Sequence, residues 1–549
     1  MQKLALSFLA LLVCMTTGRS QGITSGKISG GLQTNLNFFM KDESINAANT
    51  PQYESQLYGA DSWLNVNYTT NGFEAGIRLD VYNNSYLFNP NGGSYTGIGI
   101  GNWFVEKQIS KLTVRGGYIY DQIGSGIIYR AYEERPLAID NALFGVRATY
   151  ELSPNWRIKG FTGQQKFQFD RYGAILKGGS IDGFIAFEDS TKKYNLTLSP
   201  GAGVVARTFD NQTIEGINNV LKYYEPIDSI ASYKSNTYAM SIYNTLSYGP
   251  FTLYTEAAYK TPEVMMSPTD FRHIGQDSSA GKFIKRAGNV LYGSLSYADH
   301  GLGISIEGKR TQDFSFRTDP NLLLNRGLVN YIPAMSKINT YRLTSRYNPA
   351  IQFMGEYAFQ ADVQYKFNKK WSALVNYSHI NNLEDVKLYR EVYAEVTFKP
   401  NRNNNFIFGL QRQEYNQFVY EGKVGAPNVE TYTPFVEYLH RFNRKTALRI
   451  EGSMMSTQQD YGSWVYGLAE LSIAPHWSFV VSDMYNYDHN PEKTKKANNY
   501  PSVIAFYTRG SNRFSLGYIK QVEGIVCTGG ICRYEPAFSG VKATISTTF

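Results

Sequence analysis

The chain ends Val541-Lys542-Ala543-Thr544-Ile545-Ser546-Thr547-Thr548-Phe549, and this stretch decides the fold. Side chains alternate sides along a strand, so Val541, Ala543, Ile545 and Phe549 share one face, with Thr547 its one weakly polar member. Lys542, Thr544, Ser546 and Thr548 share the other. One face suits lipid, the other suits water, and the strand stops on an aromatic, as the closing strand of an outer-membrane β-barrel does. A soluble protein can also end on an amphipathic strand, so the reading depends on whether the pattern recurs.

It recurs along the whole chain. Phe73, Ala75, Ile77, Leu79 and Val81 oppose Glu74, Gly76, Arg78 and Asp80, and Phe144, Val146, Ala148, Tyr150 and Leu152 oppose Gly145, Arg147, Thr149 and Glu151. Leu302, Ile304 and Ile306 oppose Ser305, Glu307 and Lys309, and Leu448, Ile450 and Met454 oppose Arg449, Glu451 and Ser453. Each is a strand with one apolar and one polar side. Turn chemistry joins many neighbours directly: Thr70-Asn71-Gly72, Ser153-Pro154-Asn155, Tyr248-Gly249-Pro250, Asp299-His300-Gly301, Ala474-Pro475-His476 and Gly510-Ser511-Asn512. Longer polar stretches alternate with these, at 42–57, 85–94, 122–142, 207–234, 261–287, 313–350, 416–429, 489–500 and 524–538. Short periplasmic turns alternating with long outer loops define an all-β transmembrane antiparallel barrel of about 24 strands, which must be even in number to close. A soluble propeller would show a fixed repeat of 40 to 50 residues, and the sequence has none.

Composition agrees. There are 43 Tyr, 32 Phe and 49 Gly, and mean hydropathy is −0.35, because half of each barrel strand faces water while aromatics gather at the two interfaces. The net charge of +8 is spread thinly; without a basic block or an aromatic-plus-basic stripe, nucleic-acid binding has no support. Lys3, the apolar run Leu4–Val13 and the small residues Gly18 and Ser20 form a secretory signal over residues 1–20, with the barrel spanning 21–549. Cys14 is no lipidation site on this reading, since the bulky Val13 precedes it. After residue 20 no apolar run reaches the ~18 residues of a membrane helix.

Cys527 and Cys532 flank Thr528-Gly529-Gly530-Ile531. The glycines permit a tight turn, and an exported chain meets oxidising conditions, so a disulfide is expected between them. Two cysteines with no histidine nearby do not make a zinc site.

The densest polar cluster is Gly124 to Asn141. Arg130 and Arg135 lie among Glu133, Glu134 and Asp140, while Ile127, Ile128, Leu137 and Ile139 argue for docking rather than solvation. These five charged residues have two readings: they constrict the lumen and set a field across it, or they form salt bridges that fasten the loop to the barrel wall. From Gly116 to Arg147, with its Gly-Ser-Gly, Arg-Ala-Tyr-Glu-Glu-Arg and Ile-Asp-Asn-Ala stretches, the chain resembles an uncharacterised outer-membrane barrel family of Bacteroidota, a domain of unknown function. The resemblance implies location and fold and supplies no mechanism.

Nothing points to an enzyme, a metal or a cofactor. His273, His300, His379, His440, His476 and His489 are scattered without metal spacing. Gly97-Ile98-Gly99-Ile100-Gly101 shares only its glycines with a phosphate loop and reads as small residues where a lumen element packs on the wall. No Gly-x-Ser-x-Gly elbow occurs.

A ring of about 24 strands left open would leak. The stretches 122–142, 207–234, 261–287 and 313–350 are the candidates to fill it, the last carrying Leu322, Leu323, Leu324 and Leu328. The expected function is a loop-constricted channel for a polar solute in the cell outer membrane, with outer-membrane lipid and the barrel assembly machinery as partners. The alternative is a non-conducting accessory barrel of a surface or secretion complex, in which Tyr223, Tyr224 and Tyr233 would contact a carbohydrate or a surface protein.

Overall fold

The computed structural model describes residues 26–549 apart from 89–92, 189, 231–232, 275–276, 323, 492–495 and 529–530. The signal segment 1–20 lies outside the described residues.

Strands of this kind cannot stand alone in lipid, because every unpaired backbone N–H and C=O there costs several kcal/mol. The chain answers by closing. The 25 strand segments of the main sheet form a ring of 24, since Asp170–Gly183 and Ile185–Phe187 are two pieces of one strand, both paired to Leu196–Thr208. Each strand is antiparallel to its neighbours in sequence, and the first, Lys27–Phe39, pairs with the last, Phe538–Thr548, from Gly31↔Thr548 to Phe39↔Gly540. Phe549 completes the seam. Its backbone exchanges bonds of 2.9 and 3.0 Å with Gly30, and a Cβ built on Gly30 would meet the Phe549 ring at 2.5 Å.

The alternation expected of the last strand holds. Asn37, Asn35 and Gln33 oppose Lys542, Thr544 and Ser546. Gln33 bonds to a lumen arginine and Lys542 lies 4.2 Å over the buried Phe538 ring, so this face points inward. Elsewhere the outward positions stay uncovered in the monomer: Ile77, Leu79, Ile98, Ile100, Val146, Val363, Val392, Leu410, Val481 and Leu516 are all exposed. An exposed apolar belt running round a whole molecule is the face a barrel shows to hydrocarbon. At the end where both termini lie, aromatics pair across the outer surface, including Trp371 with Phe398 at 4.2 Å, Phe406 with Tyr438 at 4.5 Å and Trp477 with Tyr507 at 4.7 Å. They form an interfacial girdle at this turn end of the barrel.

The loop end departs from the expectation at several points. Residues 261–287 are strand for the most part: Phe251–Ile274 and Asp277–Asp299 stay paired well beyond their neighbours, with register shifts at Lys260/Glu263 and Ser267/Phe271. Both faces of that projecting hairpin mix polar and apolar residues, Val264 beside Glu263 and Met265 beside Ser267, which erases the alternation that marks a strand. A tight turn at Gln168 (φ 54°) joins Trp156–Phe167 to Asp170–Gly183 at the loop end, so short connections are not confined to the turn end. It carries no Gly, Pro or Asn to announce it. Within 207–234, the helix Asn211–Leu221 packs with Phe209, Val264 and Phe283 in a small cluster of its own. Tyr224 and Tyr233 are spent on that packing, accepting from Phe283 N (2.7 Å) and donating to Asn218 Oδ1 (2.9 Å), and Tyr223 stays exposed.

Candidate functional site

Two segments enter the lumen, 120–142 and 313–354, and each is held there differently. The first folds as two miniature hairpins, Asp121–Ile123 with Tyr129–Ala131 and Glu133–Glu134 with Ile139–Asp140, the latter closed by a 3-10 turn over Arg135–Leu137. Gly124 (φ 56°) makes the first turn, and a Cβ there would lie 2.8 Å from the Glu256 carboxylate. The tip thereby reaches a wall strand five places further round the ring: Ser125 N and Oγ donate to Glu256 Oε2, at 2.9 and 2.7 Å, on the strand Phe251–Ile274. Ile123, Ile127, Ile128, Leu137 and Ile139 are buried with Phe314, Phe316, Leu328, Val329 and Ile332 of the second segment and with wall residues such as Phe161, Val205 and Val290. The docking read from those isoleucines is therefore present. A second apolar cluster continues across the lumen through Met335, Leu343 and Tyr347 to Tyr389, Tyr415, Met455 and Trp464. The leucine patch of 322–328 contributes less than its composition suggests: Leu328 is buried, Leu324 is 68% exposed, and Leu323 lies outside the described residues.

Of the five charged residues of the first segment, three meet a single wall arginine or its neighbours. Arg78 is 3% exposed and bonds Asp80 (2.6 and 2.8 Å), Glu133 (2.8 Å) and Asp140 (2.7 Å). Arg135 donates to Glu133 at 2.8 Å and to Gln33 at 3.0 Å, and stacks 5.0 Å over Trp63. Asp140 also accepts from Tyr120 (2.8 Å) and from Lys166. Burial pushes the Asp140 carboxyl up, but Lys166 and Arg78 outweigh it and hold it below its ordinary 3.8. Arg130 stands apart, its guanidinium 4.5 Å from the Tyr132 ring and 4.2 Å from that of Tyr331. Glu134 is half-buried and joins none of these bonds.

Arg78, Arg135 and Lys166 balance Asp80, Glu133 and Asp140, so the cluster is closed to net charge. Burying such a network is costly unless geometry is complete, and removing one partner leaves a buried charge exposed to the full penalty. The glycine run explains how it fits. Ile98 and Ile100 point to lipid, whereas Gly97, Gly99 and Gly101 point inward, and a Cβ on Gly101 would come within 1.8 Å of Asp80 Oδ2. The wall partners Arg78, Asp80 and Lys166 were not singled out in the sequence; the signal available was an opposite-charge pair at i and i+2 on one inward strand face.

The second segment is held mainly through its backbone. Arg207 donates to Arg317 O (2.8 Å), Lys260 to Ser315 O (2.8 Å), Lys309 to Pro333 O (2.5 Å) and Gln411 to Thr344 O (2.9 Å). The wall neutralises its own cations, with Glu263 between Arg207 and Lys260, and Glu356 at 2.6 Å from Lys309.

Above this layer a cavity of about 420 Å³ opens toward the loop end, lined by Arg342, Arg346, Tyr347, Lys423, Asp460, Tyr461 and Glu523 among others. Below it, near the turn end, Arg449 is ringed by Glu437 (3.2 Å), Glu451 (3.4 Å) and Glu470 (3.2 Å), Arg449, Glu437 and Glu470 being partly open to solvent. Cys527 and Cys532 are direct cross-strand partners in the hairpin Gly524–Thr528/Ile531–Glu535; their side chains and the Gly529-Gly530 turn lie outside the described residues. Among the described residues no three His, Cys, Asp or Glu gather as a metal site would need, and no helix is long and apolar enough to cross a membrane.

The sequence matches, over residues 1–549, a family of unknown function (DUF6029). No curated protein matches it. Among solved structures it is similar to OccK8 (OprE) of Pseudomonas aeruginosa, at 11% identity over 96% of this chain and 99% of that one, with a TM-score of 0.39. It is similar also to the siderophore receptor PirA of Pseudomonas aeruginosa (9%; 96% and 81%; 0.39) and to the P pilus usher (PapC) translocation pore (8%; 95% and 99%; 0.41). Likeness at these values bears on no residue and no activity.

Proposed function

The chain belongs to DUF6029, a family of unknown function, and we propose that it is a Bacteroidota outer-membrane barrel that passes a small polar solute through a constriction made by its own segments 120–142 and 313–354. On this reading the turn end is periplasmic, the loop end faces outside, and the protein is a transporter and not an enzyme. One observation carries it: a polar cavity lies above the plug layer at Arg342–Arg346–Asp460, and below it the charged groups of Arg449, Glu437 and Glu470 are partly open to solvent. A barrel serving only as a scaffold has no need of solvated charge on both sides of its filling. Glu133, Arg135 and Asp140 latch the constriction to the wall, and Arg130 and Glu134 are the members of the cluster free of that latch to meet a solute.

The scaffold reading has its own support in the two apolar clusters, which run from wall to wall. Planar-bilayer recordings separate the two. For a channel, wild type conducts in small steps and deletion of Glu133 to Pro136 enlarges them. If both are electrically silent while folded, the scaffold reading stands and the channel fails.

A further inference from the structure

An apolar cavity of about 500 Å³ lies at the loop end, where the two ends of the segment 313–354 meet the projecting hairpin and the short helix Gln417–Glu421. Met265, Met266, Leu322, Ile351, Phe353 and Val419 give it an apolar lining, with the exposed Leu324 at its edge. Its volume is that of a small-molecule site, and methionine side chains adapt to ligands of varied shape.

Two arginines share this lining, and their charges are met differently. Arg207 is paired to Glu263, which also lines the cavity and which Lys260 holds as well. Arg317 has no such partner. Its Nη1 and Nη2 donate to Arg326 O (2.5 Å) and Leu324 O (2.7 Å), its Nε donates to Ser315 Oγ (3.3 Å), and the Phe353 ring lies 6.0 Å from its guanidinium. All three acceptors are neutral. They fasten the turn that the bridge Arg317↔Leu328 closes and hold the guanidinium in one place. A neutral donor would fasten that turn as well, so the charge and two of the five N–H donors are left over. Among the described residues no carboxylate forms an ion pair with Arg317: Asp319, two residues on, accepts from Asn321 N and Nδ2 (2.9 and 3.0 Å), and Glu263 is taken by Arg207 and Lys260. Burial without an anion beside it pushes the Arg317 guanidinium down to about 10. A charge set in an apolar wall is costly until an opposite charge reaches it.

We propose that this cavity binds an amphipathic anion, a carboxylate bearing an apolar chain or ring, with its head on Arg317 and its body along Met265, Met266, Ile351 and Phe353. A fixed guanidinium with two N–H groups to give suits the two oxygens of a carboxylate. Arg207 Nε, on the same lining, is also buried without a hydrogen-bond partner. The site stands on the cavity and its unmatched charge, and holds whether or not the barrel conducts.

The test is equilibrium dialysis of radiolabelled octanoate against the full chain in phosphatidylcholine nanodiscs, with uptake by empty nanodiscs subtracted. Folded wild type should take up octanoate saturably, with one site per chain. Acetate, which has the head without the body, and octanol, which has the body without the head, should not displace it at equal concentration. R317Q should weaken binding by about tenfold or more, the scale of a lost hydrogen bond to a charged group. M266D sets a carboxylate on the half-buried apolar side while leaving Arg317 in place. It should weaken binding likewise, and it covers the case of a misfolded R317Q protein. No saturable uptake by folded wild type, or folded variants that bind as wild type does, overturns the site. Displacement by octanol as effective as by unlabelled octanoate overturns the role of the charge, and equal displacement by acetate overturns that of the apolar lining. Saturable uptake by a protein that is silent in the planar bilayer upholds the site and removes the channel reading alone.

Discussion

The two segments that fill the lumen are fastened by a different balance of means, the second adding to its carbonyl contacts only scattered side-chain bonds such as Asn339 to Glu391 and Tyr347 to Asp460. Residues 120–142 offer charged side chains to the wall, where Arg78 and Lys166 receive Glu133 and Asp140; residues 313–354 offer carbonyl oxygens, which wall cations and amides receive. A side-chain latch depends on particular residues on both sides and can be undone by titration or a single substitution. A backbone latch tolerates almost any sequence on the plug side, because every residue has a carbonyl. The first segment's attachment is therefore the more sensitive of the two to single substitutions.

The largest effect should come from Arg78→Met. It leaves Asp80 buried without its cation and weakens both remaining carboxylates, a loss of about 3–5 kcal/mol, read as a lower denaturation midpoint in detergent micelles. Arg207→Met, the corresponding change at the second segment, leaves Glu263 paired with Lys260 and should cost about 1–3 kcal/mol, the scale of a lost hydrogen bond to a charged group. Equal losses at the two sites would erase the distinction.

Gly101→Ala should fall next. Its methyl would collide with the Asp80 carboxylate and displace it from Arg78, an overpacking cost of about 1–3 kcal/mol. The same substitution at Gly116, where a Cβ meets nothing, should be nearly silent.

The smallest effect is a pH dependence of the first segment's latch. Asp140 has a folded pKa below its ordinary 3.8, so its contribution is complete above that value and is lost as pH falls through the lower, folded one. Pepsin should cut within 124–141 increasingly as pH falls below 3.8 and spare it above, with the carbonyl-held stretch 315–333 changing less. Cleavage of both segments alike, or of neither, would show that Asp140 does not set the difference.

The same contrast explains what could be read in the sequence. The first segment was legible because its chemistry lies in side chains: a charged string flanked by isoleucines between two clear strands. Its wall partners Arg78 and Asp80 were visible only as the wet face of the strand Phe73–Ser85, and Lys166 on Trp156–Phe167 not at all, since which inward charges meet is a matter of ring closure. The second segment's attachments were illegible, as carbonyls leave no mark in composition. The barrel itself was legible from period-two alternation ending at Phe549, which fails wherever strands leave the membrane, as in the hairpin after Lys260.

The central claim is that the chain's own residues 120–142 fold into the lumen, with their tip at Glu256. Ser125→Cys with Glu256→Cys, in a background carrying Cys527→Ser and Cys532→Ser, tests it directly by reaction of the folded protein with a short bifunctional thiol crosslinker, which spans the length of the lost glutamate side chain, followed by mass spectrometry. The account predicts a crosslinked peptide joining 125 to 256 in nearly every folded molecule. Free thiols at both positions in protein that is folded and inserted would contradict it.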